Sequence, residues 1–323
     1  MSQPVQPVIA VGGENLIDTM HKKNSAGEAE VSYKLGGSPY NVAFALGRQG
    51  QNTHYVTPVS TDKYGQQLAE NLIAENVVLA GGRRDEPTTE AVVTLEDGIP
   101  QYVFHRDNTA ERCVTAASLA AAISDEITHF QAGSLAFAGV QDGAAWEAAF
   151  DAANARGLTT SFDPNIRSAL LEDPASYRER VLRLIKTTTI LKMSDEDLEW
   201  IYPDLSQAEA MKTVLAETNA SLVALTKGPD GAEGWTPNHY CVVENPVIET
   251  FVDTVGAGDT FMATLVATLA DNGLLNKSSL AELNKEQLQM LLTRGVQAAC
   301  LNCGKEGCNP PTTAEIDQAL SRA

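Results

Sequence analysis

The chain has 323 residues, of which 43% are apolar, and it carries 42 acidic against 23 basic side chains for a formal net charge of −19. That length suffices to bury a full core without disulfides or structural metals, and the even spread of aliphatic residues excludes a disordered or collagen-like chain. The cations are dispersed among nearly twice as many carboxylates, which excludes a phosphate-tracking stripe for nucleic acid and disfavours an anionic membrane surface. An anion site must then be built locally, from backbone N–H groups, a metal ion or a few placed cations.

The N-terminal Met1-Ser-Gln-Pro-Val-Gln-Pro has no basic leader character, and its apolar run stops at Gly12 and Gly13. A signal peptide is not expected there. The longest apolar stretches, such as Ala132 to Val140, fall far short of the roughly 20 residues a bilayer needs, so a cytoplasmic protein is expected. Five cysteines, an odd number, fit a reducing compartment. Cys300, Cys303 and Cys308 form a C-x2-C-x4-C array without a fourth ligand, and they read as packing residues.

Short β-rich runs alternate with helical periodicity along the chain. Val8 to Val11, Thr53 to Val59, His129 to Phe137, Thr159 to Phe162, Thr189 to Met193 and Ser221 to Thr226 read as strands. Helices are expected from Ser38-Pro39 as cap and first-turn proline, and over Tyr64 to Glu75, Asp142 to Ala155 and Glu172 to Lys186. This rhythm predicts an α/β fold, doubly wound, with a mostly parallel sheet and helices on both faces. Ala29 to Lys34 and Ala91 to His105 alternate instead, the latter around the turn signal Asp97-Gly98. They predict a small β lid, with segments near 19–35 and 88–107, inserted into a single domain spanning 1–323. The polar and Gly-rich residues fall just after strands, so they converge on the C-terminal edge of the sheet, where ligands of such folds bind.

Two stretches carry the chemistry. In Asp253-Thr-Val-Gly-Ala-Gly-Asp259, Gly256 and Gly258 let an anion approach the N–H groups of a helix start, and Asp259 stands beside that pocket. A carboxylate there opposes simple phosphate binding but suits a general base that accepts a hydroxyl proton during phosphoryl transfer. The alternative for this short pattern is an ordinary capped helix entry. It is not a Walker loop, and Phe261 stands where a dinucleotide fingerprint needs its third glycine. The second stretch, Gly36-Gly37-Ser38-Pro39-Tyr40-Asn41, joins the lid to a helix and offers the Asn41 amide to a hydroxylated ligand.

This pair, in this order, resembles the two signatures of the ribokinase-like (PfkB-type) carbohydrate kinases. Gly13-Glu14 with Asp18, Phe104-His-Arg106 through Ala110, Phe162-Asp-Pro-Asn165-Ile-Arg167, Leu191-Lys-Met-Ser194-Asp-Glu and Thr226-Lys-Gly228-Pro-Asp-Gly231 extend the likeness along nearly the whole chain, with fructokinase-like members the most similar. The resemblance implies ATP-dependent phosphorylation of a primary hydroxyl of a small sugar, with fructose first and 2-keto-3-deoxygluconate as the alternative. It implies Asp259 as base and Gly256, Ala257 and Gly258 as anion hole. By the same likeness Asp18, Gly36, Gly37, Asn41, Arg106, Asn165 and Arg167 hold the sugar. Lys192, Ser194, Thr226, Lys227, Gly228, Gly231 and Asn302 lie on the nucleotide side.

ATP and Mg²⁺ are the implied cofactors, with K⁺ as an optional third on the carbonyls of Asp253 and Val255. A homodimer through the lid is a further expectation. Two departures stand out: Thr264 replaces a small residue in the helix after the base, and Ser194-x-x-Asp197 replaces an Asn-x-x-Glu arrangement that organises Mg²⁺ in many relatives. A binding protein that kept the fold and lost the chemistry is the rival from another class.

Overall fold

The computed structural model describes residues 6–23, 29–96, 99–248 and 250–322. In chain order these form β1 (Val8–Gly12), β2 (Leu16–Lys23), β3 (Ala29–Gly36), α1 (Ser38–Arg48), β4 (Asn52–Tyr55), β5 (Val59–Ser60), α2 (Lys63–Ala74), β6 (Arg83–Arg84), β7 (Thr89–Glu96), β8 (Ile99–His105) and α3 (Ala116–Ala122). They continue as β9 (His129–Gly133), α4 (Gln141–Ala155), β10 (Thr159–Asp163), α5 (Pro174–Thr187), β11 (Ile190–Ser194), α6 (Asp195–Ile201), α7 (Gln207–Glu217) and β12 (Leu222–Thr226). The C-terminal part holds β13 (Ala232–Trp235), β14 (Tyr240–Val243), α8 (Ala257–Asp271), α9 (Lys277–Ala281), α10 (Lys285–Cys303) and α11 (Thr313–Leu320).

The main sheet has eight strands in the order β14-β13-β12-β11-β10-β9-β1-β4. Strands from β4 to β12 pair in parallel, and only the β12-β13-β14 end is antiparallel. Alternate residues of each strand face opposite layers. Ile9, Val11, Ile190 and Leu222 pack with α1, α8 and α10, whereas Phe130, Phe162, Leu191 and Met193 pack with Trp146, Phe150 and Tyr177 from α4 and α5. Burying each such large side chain contributes roughly 1.5–3 kcal/mol, so both layers hold the sheet. Helix α8 is buried on all sides, without interruption from Asp259 to Ala270. Such a helix belongs in the middle of a core, and that placement fixes its N-terminus rigidly at the sheet edge. Thr264 lies in this buried stretch and its Oγ1 accepts a 2.9 Å hydrogen bond from Gln49 Nε2, which ties α1 to α8.

The segments expected as a lid build a second sheet, β3-β2-β7-β8; β2 pairs antiparallel with β3 and parallel with β7, and β7 pairs antiparallel with β8. The turn expected at Asp97-Gly98 lies outside the described residues. Three expectations need correction. Thr53 to Val59 is two strands, because the chain leaves the main sheet after Tyr55 and Pro58, lacking an N–H, cannot extend the ladder; β5 pairs with β6 instead. The run from His129 ends as a strand at Gly133 and continues as a 3₁₀ turn over Ser134–Phe137. Gly37, at φ 105°, is the cap of α1, so Ser38 is its first helical residue and its hydroxyl is free for another partner.

Candidate active site

The edge of the sheet above β1, β9, β10 and β11 collects the candidate residues because parallel strands all deliver their following loops to the same side. Gly256 begins α8 in a left-handed conformation, φ 75°, and any side chain on it would also collide with the Cys308 thiol. Glycine is required there on both counts. The first amides of α8 thereby open to an anion, with the helix dipole favouring negative charge. Lys192, in the middle of β11, is 3% exposed, and a Cβ on Gly258 would stand 3.0 Å from its Nζ. An ammonium group therefore underlies the same helix start.

That ammonium is paired with Asp163 at the end of β10, Nζ to Oδ2 at 2.9 Å, with both side chains under 5% exposed. Burial, which Lys192 opposes and Asp197 and Asp259 reinforce, leaves the Asp163 carboxyl raised to about 6. Burial works against the Lys192 charge, yet Asp163, Asp197 and Asp259 together hold its pKa above the ordinary lysine value. The pair is thus held ionised by mutual attraction in a dry setting.

Asp259, in the first turn of α8, is 6% exposed. Its Oδ1 accepts a 2.6 Å hydrogen bond from Ser38 Oγ, and its Oδ2 accepts a 2.8 Å bond from Asn41 Nδ2. Burial raises its pKa, and the Ser38 and Asn41 donors with the Lys192 and Arg167 charges oppose that rise. A carboxylate so fixed, with lone pairs remaining on both oxygens, can accept a proton from a hydroxyl beside the anion pocket.

The strands of the second sheet enter and leave close to this edge. Asp18 on β2 lies within the electrostatic reach of Lys34 and Arg167, and Gly36 makes room for it, since a Cβ there would approach Asp18 Oδ2 to 2.8 Å. Gly37 is required in turn, because a side chain would strike the Glu14 carbonyl. Asn165 adopts φ 38°, a left-handed conformation uncommon outside glycine that turns the loop after β10 toward this edge. Arg167 follows, exposed, with only long contacts to the carbonyls of its own loop. The Arg167 charge thus reaches both Asp18 and Asp259, Gly36 packs against Asp18, and Asn41 holds Asp259, which brings these residues to the same edge of the sheet.

Arg106 departs from the expectation of a cation offered to a ligand. Its guanidinium forms a two-point pair with Glu111, Nε–Oε1 2.7 Å and Nη2–Oε2 3.1 Å, donates to the Leu135 carbonyl, and lies 3.8 Å from Asp142. Its charge is spent inside the wall of the site because a buried guanidinium needs such partners. Glu14 lies beside it: Oε1 accepts from the Ser38 N–H at 3.0 Å, and burial pushes its carboxyl up to about 7.

The nucleotide-side candidates are more open. Thr226 and Ser194 are register partners at the ends of β12 and β11. Gly228 is exposed and Gly231, φ 87°, closes the turn into β13. Lys227 is held by Glu233 at 2.9 Å on the surface. Ser194 and Asp197 form a reciprocal helix cap, and Asp197 Oδ1 also accepts from Ile166 N at 2.7 Å. That carboxylate is occupied by backbone donors, which gives the altered motif a structural use. Among the described residues, no group of three or more His, Cys, Asp or Glu stands together as a metal cluster. Asp253 Oδ1 and Oδ2 accept from the N–H groups of Val255 and Gly307, both at 2.9 Å, and the Val255 carbonyl accepts from Asn302 Nδ2 at 2.7 Å. Asn302 is therefore a brace behind the α8 loop.

Sequence reasoning did not assign roles to Ser38, Glu14 or Asp163. Ser38 read as a local cap, and its contact with Asp259 spans 221 positions, which no local pattern discloses.

The model for "pfkB family carbohydrate kinase" matches residues 9–315. A fructokinase of Rhizobium leguminosarum bv. trifolii is 36% identical over 279 residues, covering 86% of this chain and 84% of the relative. The structure of a fructokinase with bound ATP from Xylella fastidiosa superposes with a TM-score of 0.89 at 23% identity, covering 98% and 99% of the two chains. A fructokinase double mutant from Vibrio cholerae O395, in a form binding fructose, ADP and potassium ion, superposes at 0.83 with 22% identity and 98% of each chain. The chain belongs to the pfkB family of carbohydrate kinases.

Proposed function

We propose that this kinase transfers the γ-phosphoryl group of ATP to a primary hydroxyl of fructose. The observation that carries the reading is Asp259, held by Ser38 and Asn41 one residue beyond the Gly258 amide and above the Lys192 ammonium. Asp259 takes the hydroxyl proton, the amides of Gly256, Ala257 and Gly258 with Lys192 receive the negative charge of the transferred group, and Asp163 keeps Lys192 aimed. Asp18, Gly36, Gly37, Asn41, Asn165 and Arg167 hold the sugar; Ser194, Thr226, Lys227, Gly228 and Gly231 border the nucleotide, with Asn302 bracing its loop. Mg²⁺ would neutralise phosphate charge. The carboxylates here are largely paired, so its ligands would be mostly phosphate oxygens and water, as is usual for this ion. Potassium would rest on the carbonyls of Asp253 and Val255: the Val255 carbonyl already accepts from Asn302 Nδ2 but keeps a second lone pair, and the Val255 and Gly307 N–H groups hold the Asp253 carboxylate rather than its carbonyl.

The relatives named fructokinase and the spent charge of Arg106 favour a neutral ketose. A sugar acid such as 2-keto-3-deoxygluconate is the second reading, and Arg167 favours it as a cation without a carboxylate within ion-pair distance among the described residues. A cytoplasmic setting belongs to the same proposal, supported by five free thiols. No described helix is long and apolar enough to cross a membrane. A homodimer through the lid is supported by the exposure of Val31, Tyr33 and Val103, and sedimentation of the full chain tests it.

The test is ADP release from Mg²⁺-ATP with fructose, ribose, glucose, 2-keto-3-deoxygluconate and adenosine, each with K⁺ or choline. Turnover led by fructose is expected, and a difference between the K⁺ and choline arms decides whether the cation takes part. Turnover led by the sugar acid establishes the second reading, and ATP binding without any turnover means either an acceptor outside the panel or a binding protein.

A further inference from the structure

We infer that Ser38 is a positioning residue for the reaction: its hydroxyl holds Asp259 ionised and aimed, and Glu14 seats it at the root of the lid. The inference rests on Asp259 serving as the base. Ser38 is not the cap of α1, so helix formation does not explain its hydroxyl. That hydroxyl instead donates to Asp259 Oδ1 at 2.6 Å, the short distance of a charge-assisted bond. The backbone N–H of the same residue is claimed by Glu14 Oε1 at 3.0 Å.

The placement matters because Glu14 lies between β1 and the lid strand β2, while Ser38 follows the lid strand β3. One hydrogen bond therefore joins the two roots of the lid, and the next reaches the base. A donor to the charged form opposes the burial that would otherwise protonate Asp259. Among the groups opposing burial, Ser38 is the leading one. The other groups facing Asp259 are Asn41 from α1, Lys192 from β11, Asp163 from β10, Arg167 from the loop after β10, and the Cys308 thiol from the loop before α11. Two of these are cations that favour the carboxylate, and all of them persist when the Ser38 hydroxyl is removed. Oδ1 keeps a lone pair for a sugar hydroxyl, so the contact positions the base without blocking it.

The experiment is the pH profile of kcat for Ser38→Ala, Ser38→Cys and Ser38→Thr with Mg²⁺-ATP and the sugar that the parent turns over. Loss of the hydroxyl is expected to move the acid limb up by about one pH unit, so that activity falls about tenfold below the limb and recovers above it. Ser38→Cys, a weaker donor, should move it the same way by less, and Ser38→Thr should restore the parent profile. Limbs that superpose in the alanine and cysteine variants, with or without a pH-independent loss, overturn the inference. If Ser38→Ala does not fold, the cysteine and threonine variants decide between the same two results. A parent enzyme that turns over no sugar at all would instead overturn the reading of the site.

Discussion

The two halves of the active edge are built differently. Around Asp259, the side chains of Glu14, Asn41, Glu111, Asp163 and Lys192 are, like its own, less than 9% exposed, and hydrogen bonds tie Asn41 to Asp259, Lys192 to Asp163, Glu111 to Arg106 and Glu14 to the Ser38 N–H. Among the residues proposed for the nucleotide, Gly228 is exposed, Ser194, Thr226 and Lys227 are half-buried, and Lys227 pairs with Glu233, while Gly231 and Asn302 are buried beneath them. The contrast teaches where rigidity is needed. A base and an anion hole gain from being fixed before the substrate arrives, whereas a nucleotide brings its own charge, metal and bulk to an open groove.

Breaking the buried side should therefore cost far more than breaking the open one. Lys192→Met leaves Asp163 buried without its cation and should destabilise the protein by about 3–5 kcal/mol in urea unfolding, with Asp163→Leu added to it recovering most of the loss. Equal stability of the single and parent proteins would deny the pair its weight. Asp259→Asn should lower kcat by about 10²-fold or more while ATP affinity stays nearly intact. Near-normal turnover would remove Asp259 from the chemistry.

Arg106→Ala should weaken sugar use about tenfold and ATP use little, because Glu111 and the wall around Leu135 lose their anchor on the acceptor side. An equal effect on both substrates would place Arg106 outside the acceptor wall. Glu14 sharpens the comparison through pH. Its pKa is raised by burial from 4.5 to about 7, so the native state binds its proton more tightly than the unfolded chain. Its contribution to stability is then greatest below pH 4.5 and is lost as pH rises through about 7. Glu14→Gln should gain stability relative to the parent between pH 5 and pH 8, and a constant difference across that range would contradict the assignment. The smallest effect is expected at Lys227→Ala, which removes a surface ion pair and should change stability by less than about 1 kcal/mol.

The sequence disclosed what is contiguous. Gly256, Gly258 and Asp259 share one turn, and the parallel alternation of strands and helices sends them to one edge with Asn41 and Arg167. What it concealed depends on partners far apart in the chain. Asp163 and Lys192 are 29 residues apart, and the pair becomes visible only when β10 and β11 lie side by side. Arg106 was legible as a residue of the site, but its neutralisation by Glu111 and Asp142 depends on packing beneath the lid. Ser194 and Asp197 stand in the sequence as a departure from the expected Asn-x-x-Glu, and only the structure shows that their side chains close a helix cap. Pro58 was a readable signal against a continuous strand from Thr53 to Val59, and the apolar run around it hid the break.

The most direct test of the account is the product formed from Mg²⁺-ATP and fructose, observed by proton-coupled ³¹P NMR. The proposed transfer makes a P–O bond to the oxygen of a primary hydroxyl, whose proton goes to Asp259 as ADP leaves, so the ester signal should be split into a triplet by the two CH₂ protons of that carbon. A doublet from a secondary ester, or no ester beside the ATP resonances, would contradict an acceptor side built for a primary hydroxyl.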